Sequence, residues 1–114
     1  MKCVLDRLML AAGCGDNQLH HKVGAALCTL RRTGGLETYQ QLLATMNCME
    51  MLLVTSDYWN AVHGAEKGEA AQDIEGVEVI EKLGRNIAWT LKVIDRAGIE
   101  PPETHARTMF NYIR

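Results

Sequence analysis

Over the first twelve residues, apolar positions recur at three- and four-residue steps. Met1, Val4, Leu5, Leu8, Met9 and Ala12 share this spacing, which predicts one face of a helix. Gly13 and Gly15 predict its end, and residues 16–22 read as a polar connection. The pattern then changes. Residues 23–30, VGAALCTL, form a short apolar run rich in small side chains, the signature of a buried strand, with Gly24, Ala25 and Ala26 letting a helix pack closely. The run opens into Arg31, Arg32, Thr33, Gly34 and Gly35, a turn that is basic and flexible at once. Helical spacing returns over 37–49, where Tyr39, Leu42, Leu43, Met46 and Met49 share a face. A second buried strand is predicted at 51–55, MLLVT.

Strand, helix and strand with short connections make a βαβ unit, whose crossover is right-handed in nearly all proteins. That topology makes the strands parallel and carries the turn at 31–35 and the loop at 56–64 to one end of the sheet. Residues 65–76 are polar and acidic, predicting an exposed loop. Residues 77–96 predict a long helix with Val77, Ile80, Leu83, Ile87, Leu91 and Ile94 inward and Gly98 closing it. Val79, Trp89 and Val93 lie off that stripe, so part of a second face is apolar and calls for a neighbour. Pro101 and Pro102 break the helix. The tail ends with Met109, Phe110, Tyr112 and Ile113, which predict docking across the domain or on another subunit.

With 114 residues the chain holds one domain, read as a helix and a βαβα half-fold over 1–98 with a docking tail over 99–114. Two parallel strands alone are a poor core, and the open edge of 23–30 is an aggregation hazard. Either a second copy supplies the missing strands, making a homodimer or higher homo-oligomer, or the chain is the latter part of a larger domain.

The candidate chemistry gathers at 51–64, MLLVTSDYWNAVHG. Tyr58, Trp59, Asn60 and His63 follow a buried strand within a few residues, and open α/β sheets keep their ligands beyond the carboxyl ends of strands. Composition narrows the classes. A net charge of -2, with 23% charged residues and no basic run, excludes a nucleic-acid footprint, and no stretch reaches the roughly 20 apolar residues of a membrane helix. Asp6 and Arg7 interrupt the opening apolar run, so a secretion signal is not expected. Cys3, Cys14, Cys28 and Cys48 show no CxxC spacing and read as reduced thiols in a cytoplasmic protein. The histidines lack HxH and HExxH patterns; His20 and His21, being adjacent, are not expected to face one ligand from a regular element. His63 with Ser56 or Asp57 is too local for a hydrolase triad, with no GxSxG elbow, and no GxxxxGK[ST] loop points to phosphoryl transfer.

VGAALCTLRRTGGLETYQQLL and LLVTSDYWNAVHG, with MKCVLDR before them and LGRNIAWTLK and RTMFNYIR after, resemble the carboxyl-terminal half of the NAD(P)H-dependent FMN reductase and iron-sulfur flavoprotein family. The resemblance implies a flavodoxin-like three-layer parallel sheet, of which this chain holds about two strands and three helices. It also implies FMN as cofactor, NAD(P)H as co-substrate and a flavin ring touching Thr29, Arg31, Arg32, Gly34 and Gly35 from one loop. From the other loop the ring would meet Tyr58, Trp59, Asn60 and His63. An arginine near the ring would favour its anionic reduced form. The family's Ser/Thr-rich phosphate loop follows its first strand and has no counterpart in these residues. Two functions stay open: an FMN-dependent oxidoreductase, here a fragment without its phosphate loop, or a non-catalytic half-domain serving as an assembly module.

Overall fold

A computed structural model describes residues 1–103 and 108. The fold is mixed α/β. Helix α1 spans Lys2–Cys14, strands β1 and β2 span Val23–Gly24 and Cys28–Leu30, and helix α2 spans Gly35–Cys48. Strands β3 (Leu52–Leu53) and β4 (Ala61–His63) follow, then a 3-10 turn at Glu69–Gln72 and helix α3 at Ile74–Ala97. The predicted helices are all present, α1 and α2 with ends shifted by one to two residues.

The strands differ from expectation. In place of one continuous pair, β1 pairs in parallel with β3 and β2 in parallel with β4, as two separate two-stranded sheets. The run 23–30 is interrupted at 25–27, and opposite those three residues the other line makes the excursion 54–60. Val23 faces Leu52 and Cys28 faces Ala61, so the excursion is four residues longer on its side. The predicted loop at 56–64 therefore contains a strand, β4. Apolar content alone did not reveal this, because a bulge of unequal arms leaves no hydrophobic signature.

Asn60 closes the interruption. Its side chain is wholly buried, with Nδ2 donating to Ala26 O at 2.9 Å and Oδ1 2.6 Å from the Ser56 hydroxyl. Its own carbonyl accepts from Cys28 N at 3.0 Å. Its side chain thus satisfies a carbonyl that the interrupted ladder leaves open, while its backbone carbonyl forms the first rung of the β2–β4 pair. Beyond it the ladder resumes, Gly64 N donating to Leu30 O at 3.0 Å.

The core forms where α2 meets these strands. Ala26, Cys28 and Tyr39 are buried, with Leu30, Leu42, Leu43, Met46 and Ala61 packed around them. The Cys28 thiol, pushed up by burial, stays protonated and donates to Gly35 O at 3.4 Å. On α3 the buried residues are Gly76, Val79 and Leu83, so Val79, expected off the main stripe, belongs to the core. Leu91 and Ile94, expected inward, are exposed beside Trp89 and Val93, because the last turns of α3 run past the short strands. Leu52 and Leu53 in β3 are exposed too, Leu52 at 42%, against the expectation of a buried strand.

The accessible surface is 9348 Å², where a compact monomer of 12.7 kDa has about 6,200 Å². Among the described residues no strand pairs with the outer edge of 23–30. No helix among them is long and apolar enough to cross a membrane. The expected docking of Met109, Phe110, Tyr112 and Ile113 lies outside the described residues.

Gly98 ends α3 as expected, in the left-handed region at φ 57 with its N–H on Ile94 O. The adjacent histidines bring a correction. His21 sits at φ 57 in an irregular turn, and there both rings reach one carboxylate, His20 Nε2 3.2 Å and His21 Nε2 3.4 Å from Glu50. The rule that neighbours diverge holds for helices and strands, not for a turn with a left-handed residue.

Candidate functional site

A pocket of about 450 Å³ opens beside the carboxyl end of β2 and along β4, lined by Leu30, Ala61 and His63, within the usual size range for small-molecule sites. Gly34 makes it possible: at φ 84 it caps α2 in the left-handed region, which glycine enters without a steric penalty. The chain turns there from β2 into α2, and Thr38 Oγ1 donates back to Gly34 O at 2.9 Å. Gly35 follows, buried, where a Cβ would come within 2.8 Å of the Leu30 side chain. The first turn of α2 thus lies flat against the end of β2 and forms one wall.

Tyr58 and Trp59 of the excursion 54–60 also line the pocket. Tyr58 and Trp59 stack at 5.1 Å between ring centroids with planes tilted by 39°, and they are 61% and 53% exposed. A Ser56 hydroxyl that accepts from Tyr58 N at 3.3 Å and lies 2.8 Å from Tyr58 O holds the turn that presents them. Lys82 of α3 pairs with Asp57 at 2.6 Å.

The floor comes from β4 and the start of α3. Asp73 caps α3 through Oδ1, which accepts from Gly76 N at 3.0 Å. Its Oδ2 accepts from His63 N at 2.7 Å and lies 3.1 Å from His63 Nδ1. The backbone N–H groups of His63 and Gly76, then the His63 ring, hold the Asp73 carboxyl below its ordinary range, because each stabilises the charged form. Backbone N–H groups of Glu66 and Ala65 do the same for Glu69, and Lys82 first of all for Asp57.

These three lowered carboxyls fix the sign of the acid response. A group whose folded value is depressed contributes stability above its unfolded value and loses it as pH falls through the folded one. The urea midpoint is expected to be level from neutral pH down to about 5 and to fall below the ordinary values of 3.8 for aspartate and 4.5 for glutamate. Asp73→Asn should flatten part of that fall. An equal slope in wild type and variant would refute the assignment to Asp73.

Of the residues anticipated for a ligand, the pocket wall holds Arg32, Gly34, Gly35, Tyr58, Trp59 and His63. The two loops, some twenty-five residues apart in sequence, do meet. Thr29 and Arg31 are exposed but off the wall. Asn60 is off the wall as well, fully buried with its amide hydrogen-bonded to Ala26 O and the Ser56 hydroxyl. Tyr39, Asp73, Glu75, Gly76 and Val79 also line the pocket. For Asp73 a signal was available, since Asp followed by Ile-Glu-Gly and an apolar helical pattern marks a helix N-cap; for Tyr39 the helical stripe showed burial but not which end of the sheet it closes, and Val79 lies off the stripe of its helix.

Comparison with protein-family models, curated proteins and solved structures found no match. What the site can do is therefore argued from its own chemistry. Among the described residues no cluster of histidine, cysteine, aspartate and glutamate is arranged to hold a metal ion. Ionised, the wall carries Glu37, Asp73 and Glu75 against the single guanidinium of Arg32. An aromatic pair, a glycine turn and an acidic floor suit a flat, uncharged ring better than a polyanion.

Proposed function

We propose that the pocket receives the isoalloxazine ring of FMN, and that the chain is the carboxyl-terminal half of a flavodoxin-like, NAD(P)H-dependent oxidoreductase. One observation carries the reading. The Tyr58–Trp59 pair and the Gly34–Gly35 turn, the two motifs on which the resemblance to the FMN reductases rests, line one pocket. Gly34 and Gly35 let the backbone approach a flat ring closely, and Tyr58 or Trp59 offers it a stacking face.

The fit has a limit that agrees with the missing phosphate loop. Three carboxylates against one arginine would repel a phosphate dianion, so the wall fits the ring and leaves the phosphate to other residues. When bound, the flavin would accept a hydride from a dihydronicotinamide and pass electrons on. The chain's own part is to position that ring, with Arg32 as the cation of the pocket wall.

Purified protein is expected to retain a flavin absorbance spectrum after incubation with excess FMN and removal of the free ligand. A colourless protein would overturn the reading. The open edge at 23–30 and the exposed Leu52, Leu53 and Trp89 favour a second reading, in which a further copy covers these faces and the chain acts as an assembly module. Sedimentation of the same colourless sample as a dimer at micromolar concentration would support it, and a monomer would not.

A further inference from the structure

We propose that His63 is a specificity-determining residue of the pocket: its Nδ1–H is fixed on Asp73, so Nε2 is left as a hydrogen-bond acceptor for a ligand N–H of the cyclic-imide type. The ring's identity rests on the flavin reading above, and the acceptor role rests on the geometry of His63 itself.

Neutral imidazole carries one proton, and which nitrogen holds it follows from what the other one faces. Nδ1 lies 3.1 Å from Asp73 Oδ2. That oxygen already accepts from His63 N, while its twin accepts from Gly76 N. Both bonds stabilise a carboxylate, which has no proton to give. The proton between Asp73 and the ring must therefore sit on Nδ1. The remaining nitrogen, Nε2, makes no hydrogen bond to the protein among the described residues, and the ring is 57% exposed on a residue of the pocket wall.

The groups that line the pocket with His63 define what it can bind. Asp73 and Glu75 belong to α3 and its cap, Glu37 to the first turn of α2, Arg32 to the turn before it, and Tyr58 to the aromatic wall. With three carboxylates in the lining, a ligand anion is disfavoured and a neutral donor is favoured. The imide N–H of a flavin, flanked by two carbonyls, is such a donor. Arg32 is the cation on the wall that could meet one of those carbonyls. A ring lacking the N–H would leave Nε2 desolvated and unpaired, which penalises the wrong ligand more than the bond rewards the right one.

Two measurements test this on the full chain. The first is the nitrogen-15 spectrum of His63 in ligand-free protein. The expected form is the Nδ1–H tautomer in the wild type, mixed or reversed in Asp73→Asn; the Nε2–H tautomer in the wild type would overturn the proposal. The second compares binding of lumiflavin with that of 3-methyllumiflavin, which keeps the ring and loses only the N–H. Wild type should prefer lumiflavin by about five- to tenfold, and His63→Phe, which keeps the bulk but not the acceptor, should show no preference. A preference that survives in His63→Phe is steric and overturns the proposal. If the wild type binds both rings equally, this inference alone falls; if it binds neither, the flavin reading falls and takes the ligand class with it.

Discussion

Asn60→Ala is expected to destabilise the fold by about 2–3 kcal/mol, read as a lowered urea midpoint at unchanged slope. The side chain is fully buried, and its removal leaves the Ala26 carbonyl without its donor at a place water does not reach. An orphaned buried acceptor costs more than the bond itself was worth, because the group gave up its hydration on folding. Asn60→Asp should be as harmful or worse, although it preserves shape, since a carboxylate has no N–H for Ala26 and sets oxygen against oxygen. Ser56→Ala should be milder: its hydroxyl contacts Asn60 and Tyr58 from a less enclosed position. A change below about 0.5 kcal/mol for Asn60→Ala, the scale of ordinary surface substitutions, would show that the interrupted ladder does not depend on this residue. Domains are stable by only about 5–15 kcal/mol in total, and the core here is thin.

The second large effect is expected at Gly76, where helix propensity and packing oppose each other. Alanine is favoured over glycine inside a helix by roughly 1 kcal/mol, so propensity alone predicts that Gly76→Ala stabilises. Packing predicts the reverse. A Cβ at Gly76 would stand 2.9 Å from the backbone oxygen of Ala61 and 2.6 Å from Asp73 Oδ2. The first is part of β4 and cannot swing aside; the second is the cap of the same helix. Overpacking of this kind costs about 1–3 kcal/mol, so net destabilisation is expected, together with loss of ligand from a pocket whose floor has moved. Gly84, in the same helix with nothing within 4 Å of its would-be Cβ, supplies the control. Gly84→Ala should stabilise by about 0.5–1 kcal/mol. If both substitutions stabilise, α3 does not sit on β4 as closely as described.

The contrast between these glycines shows what the sequence could and could not announce. Helical spacing located α1, α2 and α3 because the period of apolar residues is a property of each segment alone. The parallel pairing of 23–30 with the line beginning at 51 was legible for the same reason, through the order of strand, helix and strand. The break in that pairing was not. Nothing in VGAALCTL distinguishes a continuous strand from one that lets go at 25–27, since the cause lies thirty-four residues away, in an asparagine that reaches Ala26. A polar residue in an aromatic loop carries the sequence signature of a ligand contact, and nothing local marks Asn60 as the tie that holds Ala26. His63 and the Gly34–Gly35 turn were placed at the pocket because strand ends in parallel sheets converge. Asp73 escaped because its local role, capping α3, conceals a second one at a residue ten positions earlier.

The unequal arms of the interrupted ladder bear on how such a site can change over time. Val54 still donates to Gly24 O and Ser56 to the Asn60 amide, and the registers of the two strand pairs are set on either side of the residues between them. Insertions, deletions and substitutions there alter what the pocket meets without sliding β4 against β2. Binding preference is thereby partly uncoupled from foldability: Thr55, Ser56 and Asp57 are tied to Asn86, Asn60 and Lys82, whereas the exposed Tyr58 and Trp59 can change while one buried amide keeps the scaffold in step.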